Sequence, residues 1–170
     1  MKVCITGGIA CGKSLLSSYL KELGIPLIDA DDLAHELIPD SAERRRIARE
    51  VFADPEKRRA LEAKMHPIIR EKLDAFEGVH VIPLLFELHW EGKYDIICSI
   101  ISEKSNQIDR MMKLRGYTRE EAEARLAAQL PVEYKAGHSH YVIRNDGDVG
   151  ALKAEAEKLA GYLKEKMQHG

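Results

Sequence analysis

The stretch Thr6–Leu15, TGGIACGKSL, decides how the rest of the chain is read. Gly7-x4-Gly12-Lys13-Ser14 has the spacing of a phosphate-binding loop, the P-loop. Glycines open backbone conformations closed to other residues, so successive N–H groups can turn inward around an anion. A helix beginning at Lys13 aims its positive end at the same anion. Lys13 brings a mobile positive charge to terminal phosphates, and the Ser14 hydroxyl suits Mg2+. Residues Gly8, Ile9, Ala10, Cys11, Gly12, Lys13, Ser14 and Leu15 are the expected nucleotide-binding loop.

Outward from this loop, apolar runs and helical stripes alternate. Lys2–Thr6 reads as a buried strand, and Lys13–Leu23 carries a helical stripe that Gly24 stops. Ile25–Ile28 reads as a second strand, with Asp29, Asp31 and Asp32 opening a helix after it. From Ser41 to Glu77 the pattern is helical and charged, with Pro55 and Pro67 each placed to begin a helix. Val79–Ile82, Tyr94–Ile101 and Tyr141–Arg144 are three more strands. Ser105–Leu114, Thr118–Leu130 (opened by a Thr118…Glu121 capping box) and Val149–Met167 are helices. This alternation predicts an α/β fold, a P-loop-type three-layer sandwich with a five-stranded parallel sheet flanked by helices. Ligands of such sheets bind at the carboxyl ends of the strands. One domain over 1–170 is expected, with helical regions at 36–78 and 105–136.

The 170 residues include no apolar run long enough to span a membrane and no export leader. The net charge of -2 argues against a dedicated nucleic-acid binder. Three cysteines without metal-type spacing suit a reduced, cytoplasmic compartment. A monomer or weak homo-oligomer is expected. Between Ser41 and Asp74 ten basic residues face seven acidic ones, which suits an anionic substrate. The loop alone does not separate kinase, GTPase and ATPase. No guanine-reading Asn-Lys-x-Asp occurs, and a motor ATPase would need more chain.

Beyond the loop, several blocks in order resemble the dephospho-coenzyme A kinase family. They are TGGIACGKS, IDADDLAHE (Ile28–Glu36), VFADPEKRRALEAKMHPII (Val51–Ile69), IPLLFE (Ile82–Glu87), RGYTREEAEARLAAQ (Arg115–Gln129) and YVIRNDG (Tyr141–Gly147). The resemblance implies ATP and Mg2+ as cofactors. It also implies phosphorylation of the ribose 3′-hydroxyl of dephospho-coenzyme A, the last step of coenzyme A synthesis. It makes the helical region at 36–78 a reduced substrate-binding region and that at 105–136 the lid helices. It makes Asp31 the carboxylate that faces the acceptor hydroxyl, with Asp29 near Mg2+ or its waters. His66 is then either a substrate contact or a structural histidine. Leu84 would wall the acceptor site or pack in the core, and Glu87 would support the metal or the hydroxyl. Arg110, Lys113, Arg115 and Arg125 are expected to close over ATP, with Lys13, Asp31 and Arg115 forming the catalytic set. Asn145 is placed near the adenine, or in a turn.

Four features depart from the family pattern. The segment between Glu36 and Val51 is short. His80, Val81 and Ile82 stand where an Asp is expected before the Pro-Leu-Leu turn. Leu114-Arg115 replaces an Arg-Asp pair, and Ser139-His140 replaces Ala-Asp. Cys11 is either a small neutral filler or a thiol activated by the helix terminus.

Overall fold

Val3–Gly7 (β1) is buried at every residue, as a strand with helices on both sides of its sheet must be. In the computed structural model, which describes residues 1–169, it is the middle strand of five. The others are Leu27–Asp29 (β2), Val79–Val81 (β3), Ile96–Ile101 (β4) and Tyr141–Arg144 (β5), in the order β2-β3-β1-β4-β5. β1 runs parallel to both of its neighbours, and β4 runs parallel to β5. Ile5 pairs with Val81 on one side and Cys98 on the other, and Ile100 of β4 pairs with Ile143 of β5. The strand order reverses around β1, so the loop leaving its carboxyl end lies at the crevice where such sheets bind ligands.

The helices are Lys13–Glu22 (α1), Ala30–Leu37 (α2), Ser41–Ala53 (α3), Pro55–Asp74 (α4), Lys104–Arg115 (α5), Arg119–Ala127 (α6), Val132–Gly137 (α7) and Val149–Gln168 (α8). Two compact units are distinguishable: Met1–Leu27 together with the chain from Gly78 onward, and Ile28–Glu77. In the first, Leu16 and Leu20 of α1 and Leu152, Ala156, Leu159 and Leu163 of α8 bury with Val3, Ile5, Ile96 and Ile100 of the sheet. A smaller cluster joins Ile108 and Met111 of α5 and Ala122 of α6 to Ile9 and Ala10 of the loop. In the second unit Leu33, Ile69 and Leu73 are buried, whereas α3 buries none of its residues.

Three readings of the sequence need correction. The second strand begins at Leu27 rather than Ile25, because the Ile25 N–H closes the end of α1 on Leu20. Pro67 does not begin a helix. It lies inside α4, which runs unbroken from Pro55. A proline there withholds an N–H and its ring crowds the carbonyl of Ala63 one turn back, a cost the helix bears here. Asp54 caps the start by accepting from Glu56 and Lys57 N–H. The short α7 was not foreseen, since six residues carry too few periods to register.

Candidate active site

In the loop after β1 each carbonyl from Gly7 to Cys11 is tied down by a donor. Lys13 Nζ takes the Gly8 carbonyl at 2.7 Å and the Gly7 carbonyl at 3.4 Å. Lys135 Nζ, from α7, also takes Gly7, at 3.2 Å. Gln107 Nε2 and an Arg110 NH group, both from α5, take Ile9 and Ala10 at 2.9 and 3.0 Å. Asn145 Nδ2, just after β5, takes Cys11 at 2.9 Å. The Gly8 carbonyl also accepts the Cys11 N–H at 3.3 Å. With these oxygens held, the peptide planes of the loop are fixed, as a preformed anion nest requires.

Two glycines are dictated by this geometry. Gly12 has φ +95°, and a Cβ there would lie 2.5 Å from Asn145 Nδ2. A Cβ on Gly8 would meet Val132 Cγ1 at 2.6 Å and Gln107 Nε2 at 2.7 Å. Gly12 also starts α1 without a side-chain cap, and no acidic residue occupies the first turn. By contrast Asp29, Asp40, Asp54, Thr118 and Asp148 each cap their own helix with a side-chain oxygen. The first amides of α1 are thus left for an external acceptor. Ser14 is on that turn, exposed, and its carbonyl accepts from Ser18 Oγ. Leu15 is exposed beside it.

Cys11 is buried, at 1 % exposure. Burial pushes its thiol up, against the lowering pull of the Lys13 charge. The helix terminus therefore does not make it an activated thiolate, and it fills space behind the loop. Cys98 is pushed up to about 12 by burial as well. None of Cys4, Cys11 and Cys98 is joined in a disulfide.

Arg110 and Asn145 are both brought to the loop. The Arg110 guanidinium bonds to Ala10 O, Ser102 Oγ and Asn145 O, and the Asn145 amide to Cys11 O. Both brace the loop backbone. Arg115 is exposed in the last turn of α5, without a hydrogen bond or ion pair among the described residues. Lys113 is likewise exposed, and Arg125 lies over the Tyr117 ring, 4.6 Å from its centroid.

The turn after β3 carries Leu84, half-buried, and Glu87. Glu87 Oε2 pairs with Lys135 Nζ at 3.1 Å and accepts the Leu130 N–H, while its Oε1 is buried without a hydrogen bond. His80, at the position where a carboxylate was expected, is buried and its Nδ1 meets the Tyr94 hydroxyl at 2.8 Å. His140 Nδ1 accepts the Ile97 N–H at 3.0 Å.

In the second unit, Asp29 caps α2 by accepting the Asp31 N–H at 2.7 Å. Burial raises its carboxyl above the usual range. Asp31 is exposed in the first turn of that helix, and His66 is half-buried within α4. Sequence reading missed Lys135 and Gln107. Nothing in their neighbourhoods, VEYKAG and SNQIDR, marks them, because their partners in the loop lie 128 and 98 residues away.

No three or more His, Cys, Asp or Glu side chains among the described residues are grouped to hold a metal. The Ser14 hydroxyl at the helix N-terminus fits Mg2+ of the kind that takes one or two protein oxygens and completes its shell with phosphates and water.

The model of a family described as dephospho-CoA kinase matches residues 1–43 and 39–150. A dephospho-CoA kinase of Thermus thermophilus is 36 % identical over 187 positions, covering 94 % of this chain and 92 % of that protein. Those positions draw on 94 % of 170 residues, so the alignment holds about 27 for which this chain has no residue. The family model breaks at residues 39–43, inside the segment read as short. The crystal structure of TT1252 from Thermus thermophilus superposes with a TM-score of 0.77 at 34 % identity, covering 96 % of this chain and 97 % of that one. A shikimate kinase from Acinetobacter baumannii, at 14 % identity and a TM-score of 0.70 over 97 % and 93 % of the two chains, shares the fold alone. With its tied-down loop, its uncapped helix start and these relatives, the chain belongs to the dephospho-CoA kinase family.

Proposed function

We propose that this chain transfers the γ-phosphoryl group of ATP to the 3′-hydroxyl of dephospho-CoA, with Mg2+ as the accompanying metal. The observation that carries the reading is the phosphate loop. Its carbonyls from Gly7 to Cys11 are each held by a donor, and the uncapped start of α1 follows at once. Preorganised amides of this kind stabilise charge on a transferring phosphoryl group without rearranging during the reaction.

In this scheme the loop amides bind the phosphates, and Lys13 brings its ammonium to the terminal ones on a flexible stem. Ser14 offers its hydroxyl to the metal, which supplies charge neutralisation between phosphate oxygens. Asp31 orients or deprotonates the acceptor hydroxyl. Asp29 supports the metal or its waters, and Arg115 meets the developing charge. His66, Leu84 and Glu87 contribute to the acceptor site. The roles of Asp31, Asp29, Arg115 and His66 rest on the matching family blocks. Arg110 and Asn145 serve ATP by shaping its loop. A reducing, cytoplasmic compartment agrees with three cysteines outside any disulfide, and a monomer or weak homo-oligomer is the assembly proposed.

Incubation with ATP, Mg2+ and dephospho-CoA is expected to yield coenzyme A by mass. The product should disappear with ATP or Mg2+ withheld. ATP binding without coenzyme A formation would reject the acceptor and leave the loop standing. The break at residues 39–43 favours a second acceptor as the alternative. A coupled ADP assay over a panel of nucleoside and sugar alcohols distinguishes it.

A further inference from the structure

We propose that Lys135 is a positioning residue of the phosphate site, a buried ammonium that sets the direction of the loop's first peptide and of the turn after β3. The proposal rests on the reading of the loop as the ATP site and adds a residue to it. Lys135 is fully buried, at 0 % exposure. Its Nζ has three oxygens around it: Gly7 O at 3.2 Å, Pro83 O at 3.0 Å and Glu87 Oε2 at 3.1 Å. An ammonium has three N–H groups, so its donors are matched one for one.

The stem is held as firmly as the head. The Lys135 carbonyl accepts from Ser99 Oγ at 3.3 Å and from Ser139 Oγ at 2.6 Å. Ser99 lies on β4 opposite Thr6 of β1, and Thr6 Oγ1 donates to the same Pro83 carbonyl that Lys135 takes. Lys135 therefore spans three pieces of chain that leave the sheet at its carboxyl end: the start of the loop, the start of the turn carrying Leu84 and Glu87, and β4.

Burying a charge is unfavourable unless it is fully paired, and an apolar side chain of similar size would fill the volume at less cost. What an apolar residue would not do is fix the Gly7 carbonyl. That oxygen and the Gly8 N–H belong to one rigid peptide plane, so pinning the first fixes the direction of the second. Lys13 Nζ bonds to the same carbonyl, at 3.4 Å. When Lys13 moves to phosphate, Lys135 keeps the plane in place.

Removing Lys135 alone strands the Glu87 carboxylate, so the test pairs K135M with K135M/E87Q, in which neither charge remains. ATP affinity is measured by calorimetry, Tm by thermal melting without nucleotide, and KM separately for ATP and for dephospho-CoA. K135M/E87Q is expected to melt nearer to wild type than K135M does, since the unpaired charge is gone. Both variants are expected to bind ATP about tenfold or more weakly, the scale of lost charge-assisted hydrogen bonds. KM for ATP should rise in both variants, and KM for dephospho-CoA should rise with it, because the turn carrying Leu84 and Glu87 loses the same anchor. A purely structural lysine would lower the active fraction and leave both KM values and the ATP Kd of the folded protein alone. Wild-type ATP affinity in K135M/E87Q overturns the proposal. Failure of the wild-type protein to bind ATP would remove the ATP site itself, and this role with it.

Discussion

Replacing Gly12 by alanine asks whether the loop is held as its geometry implies. Gly12 sits at φ +95°, where a side chain costs about 1–2 kcal/mol. The new methyl would also start 2.5 Å from Asn145 Nδ2 and must displace that amide. The displaced amide loses its 2.9 Å bond to the Cys11 carbonyl, worth about 1 kcal/mol. Together these put Gly12→Ala about 2–3 kcal/mol below wild type, a fall in Tm of about 5–10 °C for a chain of this size. Asn145→Ala loses the second contribution alone. The double variant should therefore be about 1 kcal/mol more stable than the two single losses added together. Urea unfolding followed by the fluorescence of the single tryptophan, Trp90, measures all three variants. Two results would refute the reasoning: strict additivity, or a Gly12→Ala protein that unfolds with the wild type. The first would mean that Gly12 makes no room for Asn145, and the second that the backbone there is not strained.

Lys13→Ala is expected to lower kcat/KM by about 10²–10³, the usual cost of removing one charge-stabilising group, with a melting curve close to wild type; near-normal turnover would detach the lysine from the chemistry. Asp29→Asn keeps a capping oxygen for the Asp31 N–H and removes a carboxyl whose folded pKa is raised. The native state holds that proton more tightly than the unfolded one. Its favourable contribution is thus complete below the unfolded value, near 3.8, and is lost as pH rises through the folded pKa. Asp29→Asn should then be at least as stable as wild type near neutrality, with the gain shrinking as pH falls toward 3.8, while turnover drops if the carboxylate serves the metal. Stability profiles from pH 3 to 8 beside an activity assay separate the two effects. His140→Ala leaves the N–H of buried Ile97 without its acceptor and should lose about 1–3 kcal/mol. His140→Asp, which restores an oxygen acceptor at that place, should recover most of it in the same unfolding assay.

The turn chemistry of Gly7 to Ser14, the alternation of apolar runs with helical stripes, and the Asp and Thr caps were all legible in the chain. Each is local, with its cause within a few residues of its effect. The five strands and the placing of the loop after the first of them follow from those signals, and so does the reading of Ser14 beside an open helix start. What holds the loop was not legible. Arg110 and Asn145 were expected near ATP; that their side chains also hold the carbonyls of Ala10 and Cys11 had no local sign. Nothing local marks Lys135 or Gln107 as a partner of the loop. A hydrogen bond between Lys135 and Gly7 joins residues whose separation along the chain carries no period or spacing rule. Only the parallel order of the sheet, by laying β3, β1 and β4 side by side, brings Pro83, Gly7 and Ser99 within reach of one buried lysine.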